Sequence, residues 1–294
     1  MRWTEDFIAV DWGTTNRRGY RIDAQGKCVA EFEDDRGILS LPTEEFPAAA
    51  AQIRERLGDL PLLLAGMVGS RSGWVETPYV QCPADLDEIA AQLSWVEEGR
   101  AAIVPGLSIL KDDRADVMRG EEVQIFGVLA AGLIPATGFV CHPGTHNKWI
   151  KLDQGQITDF RTVMTGEMFS LLRERGVLAD MIGGTVSPGE PFRAGVRQGL
   201  GCMLTAELFT VRARILLGRL EREDAASFTS GLLIGADVGL GLALGGETDP
   251  VVMGRPELTQ LYAAAIAEAG RSSRQIDGET AFLAGAVAIA RKIG

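Results

Sequence analysis

The alternation of apolar and polar positions sorts the chain into two similar meanders separated by helical stretches. Residues 7–10 form an apolar run that stops at Asp11, Trp12, Gly13, Thr14, Thr15 and Asn16. A second strand is predicted over 17–22, a turn over 23–26 and a third strand over 28–32, the rhythm of a hairpin extended by one strand. The same plan returns over 139–142, where Pro143, Gly144, Thr145, His146 and Asn147 take the place of the first turn, followed by strands over 148–152 and 157–161 around a turn at 153–155. Gly13-Thr14-Thr15-Asn16 and Gly144-Thr145-His146-Asn147 differ at one position. That spacing is too long for a solenoid and predicts two related domains facing each other.

Helical periodicity fills the rest. It is expected over 47–57, 84–93 and 120–133, the last opening with two glutamates as a helix start favours, and then over 167–175, 192–217 and 258–270. Residues 230–234 are expected as a buried strand within 231–246, an apolar, glycine-rich stretch that Asp237 interrupts and that is short for a bilayer crossing. The segment 277–292 has an apolar face and a Lys/Arg finish, which predicts a C-terminal helix packing back on the first domain. Pro135, Ala136, Thr137 and Gly138 mark a boundary, giving domains over 1–135 and 136–276 and the helix over 277–294.

Composition changes this picture little but excludes some partners. The 294 residues, 46% of them hydrophobic, suffice for two cores. A net charge of -11 argues against a diffuse basic face for nucleic acid or an anionic membrane, so an anionic ligand must be met by local groups. Cys28, Cys82, Cys141 and Cys202 lie far apart with no metal-ligand spacing, which fits a reducing cytoplasm. The first residues carry Glu5 and Asp6 where a signal peptide would be basic.

The candidate chemistry sits at the turns. A strand ending in Asp and turning through Gly and hydroxyl residues directs unshadowed backbone N–H groups toward a phosphate. Asp11 would hold Mg²⁺ directly or through water; Gly13, Thr14, Thr15 and Asn16 would supply donors, and Gly144, Thr145, His146 and Lys148 would repeat the arrangement from the other domain. The loop from Gly66 to Trp74 carries Arg71 and Trp74, either a clamp for a small anion or a surface loop with a packed Trp. Asp116, Glu121 and Glu122 with Arg119 precede or open a helix; one carboxylate could take a proton from an attacking hydroxyl, or all could simply complement the helix dipole. Gly231 and Gly235 could bring backbone close to a base or ribose.

Taken in order, 11–18, 66–74 with Pro78 and Tyr79, 118–124, 143–149, 164–169 and 230–235 resemble the 2-dehydro-3-deoxygalactonokinase family, also called 2-keto-3-deoxygalactonate kinases. The resemblance covers nearly the whole chain. It implies an α/β fold of two actin/hexokinase-like (ribonuclease H-like) domains, with mixed sheets flanking a central nucleotide cleft. It also implies ATP-dependent phosphorylation of the 6-hydroxyl of 2-dehydro-3-deoxy-D-galactonate, with Glu121 as the base and Asp116 and Glu122 as rivals. Arg18, Arg71, Trp74 and Arg119 are the expected sugar-acid contacts. A phosphohydrolase of the same superfamily would use the same loops, and so would a non-catalytic sugar or nucleotide sensor. Whether the chain pairs with a second copy is left open.

Overall fold

The computed structural model describes residues 3, 5–111, 114–201 and 203–293, so Cys202 of the cysteine inventory lies outside the described residues. The chain divides into two compact units, one of residues 1–137, 152–159 and 278–294, the other of 138–151 and 160–277.

In the first unit, β1 (Phe7–Trp12), β2 (Arg17–Ile22) and β3 (Cys28–Asp34) form the expected antiparallel meander. Helix α1 (Phe46–Leu57) leads to β4 (Leu62–Gly66), which pairs parallel to β1. After β5 (Tyr79–Gln81) and the short α2 (Leu86–Ala91) come β6 (Ser94–Glu97) and β7 (Ala101–Ile103), completing a mixed sheet of order β3-β2-β1-β4-β7-β6. Strands β1 and β4 are central and read as near-continuous apolar runs because both faces are covered. Helix α1 covers one face with Phe46, Ala49, Ala50, Ile53 and Leu57, the spacing of one helical stripe. A separate sheet joins β5 to the hairpin β8 (Gly106–Lys111) and β9 (Arg114–Met118), which runs into α3 (Glu121–Ala130).

In the second unit, β10 (Gly138–His142), β11 (Asn147–Asp153) and β12 (Gln156–Val163) repeat the meander, and α4 (Thr165–Glu174) follows directly. Helices α5 (Glu190–Gly199), α6 (Leu204–Leu216) and α7 (Ala225–Gly245) precede β13 (Val251–Gly254), α8 (Pro256–Glu268) and β14 (Arg274–Asp277). The sheet order is β12-β11-β10-β13-β14. The last helix, α9 (Gly278–Ile293), belongs to the first unit and packs on α3, so closely that a β-carbon on Gly127 would strike the carbonyl oxygen of Ala281.

Two expectations are corrected here. Residues 230–234 are not a strand but the second turn of α7, a 21-residue helix whose apolar character comes from burial. The helix expected over 192–217 is broken into α5 and α6, with Gly201 at φ +72° in the connection. Helix α7 is long and apolar enough to cross a membrane, but most of it is buried and its Asp237 is hydrogen-bonded inside the second unit, as befits a core helix.

Candidate active site

The first turn is held from behind. Gly37, Ile38 and Leu39 donate their N–H groups to the carbonyls of Thr15, Gly13 and Thr14 at 2.9, 3.0 and 3.1 Å, and the N–H of Gly13 donates to Asn16 O at 2.9 Å. Thr14, Thr15 and Asn16 are exposed, and their own N–H groups have no backbone partner among the described residues. With the carbonyls tied inward, the turn offers donors outward, the arrangement that suits an anion.

Asp11 stands near the end of β1, paired with Arg18 on β2 and Ala65 on β4. Gly66, at φ +89°, brings the end of β4 so close that an added β-carbon would lie 3.4 Å from the Asp11 carboxylate. Gly120, at φ +108°, lies against Gly66 in turn, where its β-carbon would be 3.3 Å from Gly66 Cα. Thus the start of α3 is brought to the same sheet end as Asp11.

The three candidate carboxylates are then distinguished by burial. Asp116 and Glu121 are part-exposed; the Asp116 carboxylate accepts from Val117 N–H at 2.9 Å and that of Glu121 from Arg119 N–H at 3.1 Å. Glu122 is fully buried, and both its carboxyl oxygens face Gly120 N–H, at 2.7 and 2.8 Å. Burial, reinforced by neighbouring Glu121, pushes its pKa up to about 8. Of the three carboxyls it is the one withdrawn from solvent, held at the start of α3 by main chain.

Arg119 is engaged within its own unit. Its guanidinium donates to the hydroxyl of Thr77 and, at 2.9 Å, to Thr77 O, while its Cζ lies 4.3 Å from the Tyr79 ring centroid. These groups clamp the loop after β4 onto β5, so the side chain braces the loop. Trp74 stacks on Phe46 at 6.2 Å and packs against the first core. Arg71 is exposed and makes no hydrogen bond or ion pair among the described residues. Arg18 pairs with Glu33 at 3.1 Å.

The second turn is built differently. The N-terminus of α4 abuts it: Glu167 N–H donates to Thr145 O at 2.9 Å, and a β-carbon on Gly166 would lie 2.6 Å from Gly144 O, so only glycine fits. His146 Nε2 lies 2.5 Å from the Glu167 carboxylate, and buried Lys148 donates to His146 O at 3.1 Å. Turn and helix start together present the donor end of a helix, a ready anion site.

Beneath them sits Asp237, which sequence reading treated only as an interruption. Its carboxylate accepts from Asn147 Nδ2 at 3.0 Å, Trp149 Nε1 at 2.7 Å, Thr165 Oγ1 at 2.5 Å and Tyr262 Oη at 2.6 Å. Desolvation still raises its pKa despite these donors, which is the cost of burying a charge. The one signal in the sequence was a lone carboxylate in an apolar stretch, which must find donors somewhere.

Above Asp237 opens a pocket of about 160 Å³, entirely within the second unit, bordered by Gly144, Thr165 and Gly166 at the turn, Phe169 on α4, Ser230 and Ile234 on α7, and Tyr262 on α8. Gly231 and Gly235, expected to approach a nucleotide, face α5 instead: β-carbons there would collide with the carbonyl oxygens of Phe192 and Val196. Their helix neighbours Ser230 and Ile234 are the ones that reach the pocket. Among the described residues no cluster of three His, Cys, Asp or Glu side chains is arranged for a metal.

Two meander-and-helix units, each carrying a Gly-Thr turn after its first strand, define an actin-like ATPase fold. The (R)-2-hydroxyglutaryl-CoA dehydratase component A from Acidaminococcus fermentans shares that fold at TM-score 0.57 and 15% identity, covering 98% of this chain and 99% of that one. A crystallised Sinorhizobium meliloti protein, described as a candidate 2-dehydro-3-deoxygalactonokinase, is far nearer, with TM-score 0.89 and 33% identity over 98% of this chain and 99% of its own. The Escherichia coli (strain K12) 2-dehydro-3-deoxygalactonokinase is 36% identical over 294 residues, 99% of each chain. Residues 11–289 match the 2-keto-3-deoxy-galactonokinase family. The chain belongs to that family and is a kinase.

Proposed function

We propose that this kinase transfers the γ-phosphoryl group of ATP to the 6-hydroxyl of 2-dehydro-3-deoxy-D-galactonate, in the cytoplasm and in the service of galactonate breakdown. The observation that carries the reading is the match to a single family from the first turn to the C-terminal helix. The apolar pocket supports it. At about 160 Å³ it is smaller than the roughly 300 Å³ at which whole-ligand pockets begin, so it suits the base of a nucleotide whose phosphates continue toward the Gly144 turn.

In this reading the N–H groups around Gly144, Thr145 and His146 meet phosphate oxygens, with Lys148 fixing the turn through His146 O. Gly13, Thr14, Thr15 and Asn16 serve as the phosphate turn of the first unit. Asp11 fits magnesium: it is a part-exposed oxygen donor, and the ion favours oxygen ligands while keeping several waters. When bound with the nucleotide, the ion neutralises phosphate charge. Exposed Arg71 meets the substrate carboxylate, with Arg18 and Trp74 flanking the sugar acid.

Glu121 takes the proton of the 6-hydroxyl as that oxygen bonds to the γ-phosphorus, and the bond from phosphorus to the β-phosphate oxygen breaks to release ADP. Its place beside Gly120 and Gly66, at the sheet end that holds Asp11, favours it over Asp116.

A coupled ADP-release assay across 2-keto-3-deoxy sugar acids tests the reading. ADP should appear only with an acid present and fastest with the galactonate isomer. ADP release without any acid would make the protein a phosphohydrolase, and binding without turnover a sensor. In the same assay Glu121→Gln should lose about 10²- to 10⁴-fold in kcat. Such a loss in Asp116→Asn, with Glu121→Gln active, would move the base to Asp116.

A further inference from the structure

We propose that Ser230 supplies the side-chain hydrogen bond to the nucleoside part of the phosphoryl donor, and so sets donor affinity from the end of the pocket opposite the phosphates. The proposal rests on reading this pocket as the nucleotide's.

The argument is one of elimination within a nearly apolar slot. Three hydroxyl side chains border it: Thr165, Ser230 and Tyr262. Two of them are spent. Thr165 Oγ1 and Tyr262 Oη both donate to Asp237, at 2.5 and 2.6 Å, so neither has its proton to offer a ligand. Ser230 makes no hydrogen bond among the described residues, not even to the carbonyl one turn back in its own helix, where Thr229 in the same turn bonds Ala225 O at 2.7 Å. Yet Ser230 is only 6% exposed. The residue is mostly enclosed, but its hydroxyl is open to the pocket, with donor and acceptor unspent for whatever enters.

Its direction follows from helix periodicity. Ser230, Leu233, Ile234 and Asp237 fall at i, i+3, i+4 and i+7 on one face of α7, and the first three border the pocket. Gly231 and Gly235 occupy the neighbouring face, against α5. Ser230 stands about 10 Å along the helix axis from Asp237, and Asp237 takes its donors from Asn147 and Thr165, which flank the phosphate turn. The hydroxyl therefore belongs to the base or ribose end. A serine can donate or accept, so it can serve a ring nitrogen, an exocyclic amine or a ribose hydroxyl.

Full-length Ser230→Ala should weaken ATP and adenosine alike by about five- to tenfold in calorimetry, the usual worth of one hydrogen bond. It should leave tripolyphosphate binding and the KM for the sugar acid unchanged, with kcat within about twofold. Unchanged adenosine affinity would overturn the proposal, as would a loss shared by tripolyphosphate. Ser230→Met, which fills the slot, separates this from the nucleotide reading itself. If Met weakens adenosine and Ala does not, the pocket holds the nucleoside but the hydroxyl is idle. If neither variant changes adenosine binding while both keep the wild-type thermal midpoint, the pocket is not the nucleotide's, and the proposal falls with that reading.

Discussion

At the scale of single residues, two buried carboxylates show how differently the fold treats the same group. Asp237 receives donors from four side chains on three other elements, β11, α4 and α8, whereas Glu122 receives only backbone N–H groups. Glu122 is accordingly pushed up to about 8 from an ordinary 4.5 by burial. The folded chain therefore holds a proton that the unfolded chain gives up above pH 4.5. The stability this contributes is complete below the unfolded value and is lost as pH rises through about 8, at no more than about 1.4 kcal/mol per pH unit. Glu122→Gln removes the titration, so urea midpoints at pH 5 and pH 8 should converge in the variant and diverge in the parent, which is weaker at pH 8. Parallel curves would show that Glu122 is not buried as an acid. The turns at 13–16 and 144–147 were legible in sequence because Gly, Thr and Asn announce turns locally. Asp237 was not, since its partners at 147, 149, 165 and 262 meet only after folding.

At the scale of elements, α7 is where sequence reading failed, for a physical reason. Amphipathicity identifies a helix by its polar stripe, and a helix buried all round has none. What remained legible, and was passed over, is the four-residue spacing of Gly231, Gly235 and Gly239, matched by Gly195 and Gly199 on α5. Four of these let the two backbones touch; β-carbons at 195, 199, 231 or 235 would collide with carbonyl oxygens across the contact. Gly239 differs, because its nearest neighbour would be Gly201 N at an ordinary 3.4 Å. Gly231→Ala should therefore destabilise by about 1–3 kcal/mol, because main chain cannot yield as a side chain can. Gly239→Ala should be neutral or gain up to about 1 kcal/mol from helix propensity. Thermal midpoints of the pair decide it; equal effects would mean that the glycines are not there for the crossing. The meanders, by contrast, were readable almost to the residue, since their turns and alternation are local.

At the scale of the whole molecule, the chain carries separate core clusters. One gathers Ile8, Trp12, Phe46 and Leu64 in the first unit, and others gather Phe139, Trp149, Val238 and Ile266, or Leu178, Phe228 and Leu232, in the second. Units with their own cores can open on their own, so amide exchange need not follow one global event. The proposed base pocket is bordered wholly by residues of the second unit, so a ligand that fills only this pocket must stabilise that unit directly. Adenosine, which lacks phosphates, isolates the effect. At a hundred times its dissociation constant it should add about 2.7 kcal/mol, or about a hundredfold slowing, to amides released by opening of the ligand-bound unit. Exchange followed by mass spectrometry should slow in α4, in the first half of α7 and in α8, while β1, β2 and α1 keep their rates. Slowing confined to the first unit would place the nucleoside elsewhere. Equal slowing in both would show that the two cores open only together, and that the division seen in the fold is not one of stability.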